Sequence, residues 1–247
     1  MFEKNSIIEL LEKIGAILPV RVKIYMIGGG ALSLKGLKEA TKDVDLVLLD
    51  KKALHQIKDS FEKIGYEIDK GLFKEQFYKD AVFVFLDKSG SRIDILVDVV
   101  CGMLRLTEDM QKRAAKYGSF GNLDLYLVSN EDILLFKAIT DRPQDLKDIR
   151  ALIDATKLNW DVIIKECVSQ HRKETKWIFW FYEQICRLEE QESFPIPEKS
   201  RVFEVCLQNW DRKPGDWMCD FSEEQIRKHI PPKYQNQVIK RLKSRNK

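Results

Sequence analysis

YMIGGGALSLKGLKEATKDVDLVLL, residues 25–49, leaves an apolar strand for three glycines, then passes through a helix expected over Ala31 to Lys38. It exits through Thr41-Lys42-Asp43-Val44-Asp45 into a second apolar strand. Alternate side chains of an extended strand share a face, so Asp43 and Asp45 point one way while Val44 and Leu46 enter a core. Two neighbouring carboxylates are costly unless a cation sits between them. Ahead of them, Gly28, Gly29 and Gly30 allow backbone N–H groups to approach a ligand closely, and the helix behind offers its positive end to an anion. A metal-bound triphosphate suits that arrangement.

Outward from this stretch, Asn5 or Ser6 can cap a helix that carries Ile7, Ile8, Leu11, Ile14 and Leu18 and ends at Pro19, before the strand Val22 to Ile27. On the other side, Lys52 to Ile64 has helical spacing and Gly65 stops it. Ala81 to Leu86 and Arg92 to Val100 read as a hairpin about the turn at 88–91. In its second strand Asp94, Leu96 and Asp98 share a face, and an acid in so apolar a strand needs an explanation. An antiparallel neighbour to the Asp43 strand would bring Asp94 beside the pair, with Asp98 on the same face as the alternative. Three such carboxylates can hold two divalent ions roughly 3.5–4 Å apart, which serves in-line displacement at phosphorus: nucleotidyl transfer, or with water its hydrolytic relative.

The rest reads as a helix over Thr107 to Lys116, a loop over Gly118 to Asn122 and a strand over Leu123 to Val128. A helix over Glu131 to Thr140 follows, carrying Lys137, and Pro143 opens another with Asp145 and Asp148. Lys137 joins the glycines and the acids as the fourth element of the constellation. It also reads simply as a solvated lysine, and Asp145 and Asp148 as acids suited to a helix N-terminus with Arg142 as ion-pair partner. Beyond Thr156 the pattern is helical. Trp160 to Val168 and Glu174 to Leu188 are helices, the second with an aromatic density that reads as core before base stacking. Glu192 to Pro197 is a linker, and Trp210, Trp217, Phe221 and Ile230 can anchor a small final helical unit. The expected division is an α/β domain over residues 1–130 and a helical region over 131–247.

With 44% hydrophobic and 33% charged residues the chain has the composition of a soluble protein, without an apolar run long enough to span a bilayer or a leader pattern. A cytoplasmic location and no membrane partner are expected. The five cysteines, Cys101, Cys167, Cys186, Cys206 and Cys219, form no C-x-x-C pair and read as free thiols. Cys167 and His171, one helical turn apart, read as a packed thiol and a surface imidazole before a metal pair. The net charge of +3 is uneven: residues 221–247 hold eight Lys or Arg against two Glu, which points to a polyanion or to a solvated helix end. A third dinucleotide-motif glycine is missing after Gly30, and Gly36-Leu37-Lys38 is not a Walker loop.

In Ile27-Gly28-Gly29-Gly30-Ala31-Leu32, Thr41-Lys42-Asp43-Val44-Asp45 and Asp94, the chain resembles the polymerase-β-like nucleotidyltransferase superfamily, in its minimal stand-alone branch. Asp132-Ile133-Leu134 through Lys137 to Asp148 is similar to the AbiE-type, toxin-like transferases. The resemblance implies a small mixed, antiparallel-containing sheet flanked by helices and followed by an all-α region. By it, Asp43 and Asp45 bind two Mg²⁺ or Mn²⁺ ions and Asp94 completes the site of the acceptor-activating one. Gly28 and Gly29 hold the β and γ phosphates of an NTP such as ATP, and Lys137 steadies the triphosphate. Gly30 and Thr41 complete the nucleotide-binding set, Gly30 through its N–H where many relatives carry Ser or Thr. Asp148 orients Lys137 or a base, and Glu39 stands where toxin-like relatives often have Arg. The implied acceptor is RNA, such as a tRNA 3′ end, with a cognate antitoxin as a partner. Protein AMPylation, a non-catalytic NTP- or RNA-binding module and a D-x-D sugar transferase are the competing readings.

Overall fold

Helical periodicity and strand alternation become real elements from the first residues of the computed structural model, which describes residues 1–69, 81–172, 175–210 and 221–243. After β1 (Phe2–Glu3), α1 (Lys4–Ile17) buries Ile7, Leu10, Leu11 and Ile14 on one face, and Glu3 and Ser6 form its capping box. Strand β2 (Val22–Ile27) runs into α2 (Gly28–Leu34), so the helix begins at the glycines themselves and not at Ala31. Next come β3 (Ala40–Thr41), β4 (Asp43–Leu48) and α3 (Ala53–Lys63). They are followed by β5 (Glu67–Ile68), β6 (Ala81–Leu86), β7 (Arg92–Val97) and the short strands β8 (Val99–Val100) and β9 (Leu104–Arg105). Helix α4 (Glu108–Arg113), capped by the Thr107 hydroxyl, leads to β10 (Ala115–Phe120), β11 (Leu123–Leu127) and α5 (Asn130–Lys137).

Seven of the strands form one mixed sheet in the order β10-β11-β2-β4-β7-β6-β5. The pairs β2–β4, β6–β7 and β10–β11 are antiparallel, whereas β2–β11 and β4–β7 are parallel. The strand that carries Asp94, β7, is therefore parallel to the Asp43 strand, not antiparallel as expected; the chain returns through α3 and β6 before laying β7 down. The same crossover gives the register Asp45 to Asp94. A second correction concerns 118–122: Ala115–Phe120 is a strand, and Gly118 marks a register shift after Lys116, not the start of a loop. β1 pairs with β3, which joins the N-terminus to the turn ahead of Asp43. The core lies between sheet and helices and is built from Ile24, Met26, Val44, Leu46, Phe61, Phe85, Ile93 and Leu125.

The residues group into two compact units, Met1–Thr140 with Ala151–Asn159, and Asp141–Arg150 with the chain from Trp160. Helix α6 (Pro143–Ala155) contributes to both. The second unit is helical, with α7 (Trp160–Gln170), α8 (Trp177–Gln191), α9 (Lys199–Asn209), α10 (Glu223–His229) and α11 (Pro232–Lys243). Trp177, Phe181, Tyr182 and Phe203 are fully buried there, so the aromatic run of α8 is core. Tyr182 donates a 2.6 Å hydrogen bond to the carbonyl of His229, tying α8 to the end of α10. Cys167 is buried, which pushes its thiol pKa up, and His171 Nδ1 accepts the N–H of Ile178 at 3.3 Å. Both are thus occupied in packing. Glu174, Trp217 and Cys219 lie outside the described residues. Among those described, no helix is long and apolar enough to cross a membrane.

Candidate active site

Strand alternation and register place four side chains at the corners of a square on one face of the sheet. Asp43 lies opposite Arg92 and Asp45 opposite Asp94, across the parallel pair β4–β7. Arg92 was not among the residues singled out from the sequence. Its signal was there, however, since it precedes Asp94 by two positions in a strand and so shares that acid's face.

The square is tightly wired. Arg92 donates from its terminal nitrogen to Asp43 Oδ2 at 2.6 Å, and its Nε lies 3.0 Å from Asp94 Oδ1, close enough for an ion pair but misaligned for a hydrogen bond. Asp94 is only 6% exposed at its side chain and Asp43 25%. Asp98, by contrast, sits beyond the end of β7 with φ +63° and pairs with Arg105 at 2.7 Å. It is Asp94 that stands beside Asp45. Among the described residues no three His, Cys, Asp or Glu side chains are gathered as a metal cage; at this corner a guanidinium stands between the acids.

The square is acidic in excess. Burial raises the pKa of Asp45 well above the ordinary carboxylate value, the charges of Asp43 and Asp94 raise it further, and those of Lys137 and Arg92 only partly offset this. Lys137, the last residue of α5, thereby acts electrostatically on Asp45.

The glycines meet the square from β2 and α2. Ile27 is the register partner of Asp45, so the chain turns away directly beside that carboxylate. Gly28 adopts φ +61°, and a Cβ on it would lie 2.4 Å from Asp45 Oδ2. A Cβ on Gly29 would lie 2.3 Å from Thr41 Oγ1. That hydroxyl is buried and donates to the Asp43 carbonyl at 3.0 Å, so Thr41 fixes the backbone that carries the first acid. A Cβ on Gly30 would lie 2.9 Å from Met26 Sδ.

Helix α5 is pinned at its start. The wholly buried Asp132 receives Arg113 at 2.6 and 3.3 Å and the Ser129 hydroxyl at 2.8 Å, and Lys35 donates to Asn130 at 2.9 Å. Burial lowers the pKa of Lys35, against the opposing charges of Glu131 and Asp132. Two turns on, the helix delivers Lys137. Asp145 and Asp148 belong to the second unit. There Arg142 pairs with Asp145 at 2.7 Å, and Gln144 donates to Asp148 at 2.9 Å.

Comparison with known families finds a match over residues 5–183 to one described as "Nucleotidyltransferase of unknown function (DUF6036)". A comparison with curated proteins returned no match. Among solved structures the chain is similar to the lincosamide antibiotic adenylyltransferase LnuA in its lincomycin-bound form, at 17% identity and a TM-score of 0.40, over 61% of this chain and 94% of that one. It is similar to ANT(2″)-Ia in complex with adenylyl-2″-tobramycin, at 16% identity and a TM-score of 0.45, over 64% and 92%. It is similar also to JHP933 from Helicobacter pylori, at 12% identity and a TM-score of 0.38, over 98% and 94%.

Proposed function

The chain belongs to the DUF6036 family of nucleotidyltransferases, and we propose that it moves a nucleoside monophosphate from an NTP to a hydroxyl of an RNA acceptor. The observation that carries the reading is the square itself: Asp43, Asp45 and Asp94 on one sheet face, against glycines whose Cβ positions are taken by Asp45 at Gly28 and by Thr41 at Gly29. An all-oxygen, under-compensated donor set of this kind fits hard divalent cations such as Mg²⁺ or Mn²⁺. Ions held by Asp43, Asp45 and Asp94 would ease deprotonation of the acceptor hydroxyl and offset charge on the departing pyrophosphate.

In this reading the backbone N–H groups of Gly28, Gly29 and Gly30 receive the β and γ phosphates, with Thr41 holding the strand in place behind them. Lys137 adds positive charge on the triphosphate side. Phosphoryl transfer needs alignment and charge stabilisation more than covalent help from the protein, and a preformed square supplies both.

The RNA acceptor is supported by the basic C-terminal helices. Lys233, Lys240 and Lys243 are exposed on α11, beside Arg227 and Lys228 of α10. Incubation with each α-labelled NTP, Mg²⁺ and total RNA plus protein tests the whole reading. Label on RNA that disappears with Asp43→Asn is the expected result. Label confined to protein replaces the acceptor by a polypeptide, and no transfer or metal-dependent NTP binding at all overturns the catalytic reading in favour of a binding module.

A further inference from the structure

We infer that Arg92 is the resident counter-cation of the acidic square, and that it competes with divalent ions for Asp43 and Asp94. The inference rests on the reading of these acids as ion ligands. Two contacts carry it: one guanidinium reaches Asp43 Oδ2 at 2.6 Å and Asp94 Oδ1 at 3.0 Å, on two different strands.

A guanidinium is always charged and presents a planar fork, so it can serve two carboxylates at once where an ammonium serves one. Arg92 is 18% exposed at its side chain, and Asp94 still less, so this is not a solvent-screened surface pair. Three clustered acids without a cation would repel one another and resist burial. Arg92 relieves that repulsion through its contacts with two of the three. The carboxylates it engages are also those that would ligate an ion, and a guanidinium and a divalent cation held by the same two acids repel each other. Ion entry therefore requires the side chain to leave at least one carboxylate.

This sets Arg92 apart from a residue that merely orients Asp94. Removing an orienting residue weakens ion binding, whereas removing a competitor strengthens it. The test is titration of the full-length protein with Mn²⁺, followed by electron paramagnetic resonance of the free ion, for wild type, Arg92→Met and Arg92→Lys, with Asp45→Asn as the site control.

Arg92→Met should bind Mn²⁺ roughly tenfold more tightly, about the worth of one charge-assisted hydrogen bond lost from the competing state. Arg92→Lys should fall between. In EDTA the Met variant should melt about 2–4 °C below wild type, with the gap closing at saturating Mn²⁺. Unchanged or weaker Mn²⁺ binding in both variants, while wild type binds at a site that Asp45→Asn abolishes, overturns the inference and leaves the ion-binding reading standing. Folded protein that binds no Mn²⁺ in any form removes both. If the Met variant does not fold, the Lys variant carries the comparison.

Discussion

Asp45 and Gly28 are in contact in a way no other residue at position 28 permits: the carboxylate Oδ2 stands 2.4 Å from the point a Cβ would occupy. The backbone there also sits at φ +61°, where L side chains are strained. One absent methyl group thus lets the glycine segment and the acidic strand meet. Gly28→Ala should lower kcat/KM at least ~100-fold, since a displacement of about an ångström at reacting groups costs that much. It should leave a folded protein by circular dichroism. Near-normal activity would show that the turn does not need its contact with Asp45.

Asp45→Asn should separate activity from stability. The substitution removes a half-buried charge that Asp43 and Asp94 oppose, so the metal-free protein should gain about 1 kcal/mol while transfer is lost. Asp45 has a raised folded pKa, so its stabilising contribution is complete below the unfolded carboxylate value and lost as pH rises through the folded one. In EDTA the melting temperature of wild type should therefore rise on acidification through that window more than that of Asp45→Asn. Identical pH profiles would remove the like-charge account.

Arg113→Met takes the guanidinium away from the wholly buried Asp132, and should cost about 3–5 kcal/mol in urea denaturation. Adding Asp132→Leu should recover most of that loss, because a buried ion pair exchanged for apolar groups is often neutral. If the double variant is as unstable as the single one, the pair does more than satisfy its own charges.

On β11, hydrogen bonds from Ser119 and Lys116, with Arg21 in support, depress Asp124 to about 2. A depressed carboxylate stabilises the fold above its unfolded pKa, and that contribution is lost as pH falls through the folded value. Asp124→Asn should cost roughly 1 kcal/mol at pH 7, after allowance for solvent screening. The difference from wild type should shrink between about pH 4 and 2. A pH-independent difference would assign it to packing.

How much of this was legible beforehand follows from which forces are local. Period-two alternation alone put Asp43 and Asp45 on one face, and an acid flanked by Ile93 and Ile95 marked Asp94. Strand direction was not legible, because alternation is the same in parallel and antiparallel pairs; only the crossover decides it. Gly118 read as a loop because glycine breaks strands and also marks bulges, and the composition of 118–122 does not distinguish the two. For Arg92, alternation gave the face it shares with Asp94, but its contact with Asp43 lies 49 positions away and no local pattern announces a contact at that distance.

The parallel pairing of β4 with β7 also bears on the order in which the molecule assembles. The square exists only once 49 residues of chain have closed on themselves, and β2 must further await β11, whose Leu123 pairs with Val22. Loop closure is charged before such contacts repay it, so distant parallel strands form late while helices form early. Catalytic competence should then return with the slowest refolding phase, after helical circular dichroism has recovered, and a nascent chain shorter than its first 94 residues cannot assemble the acids at all.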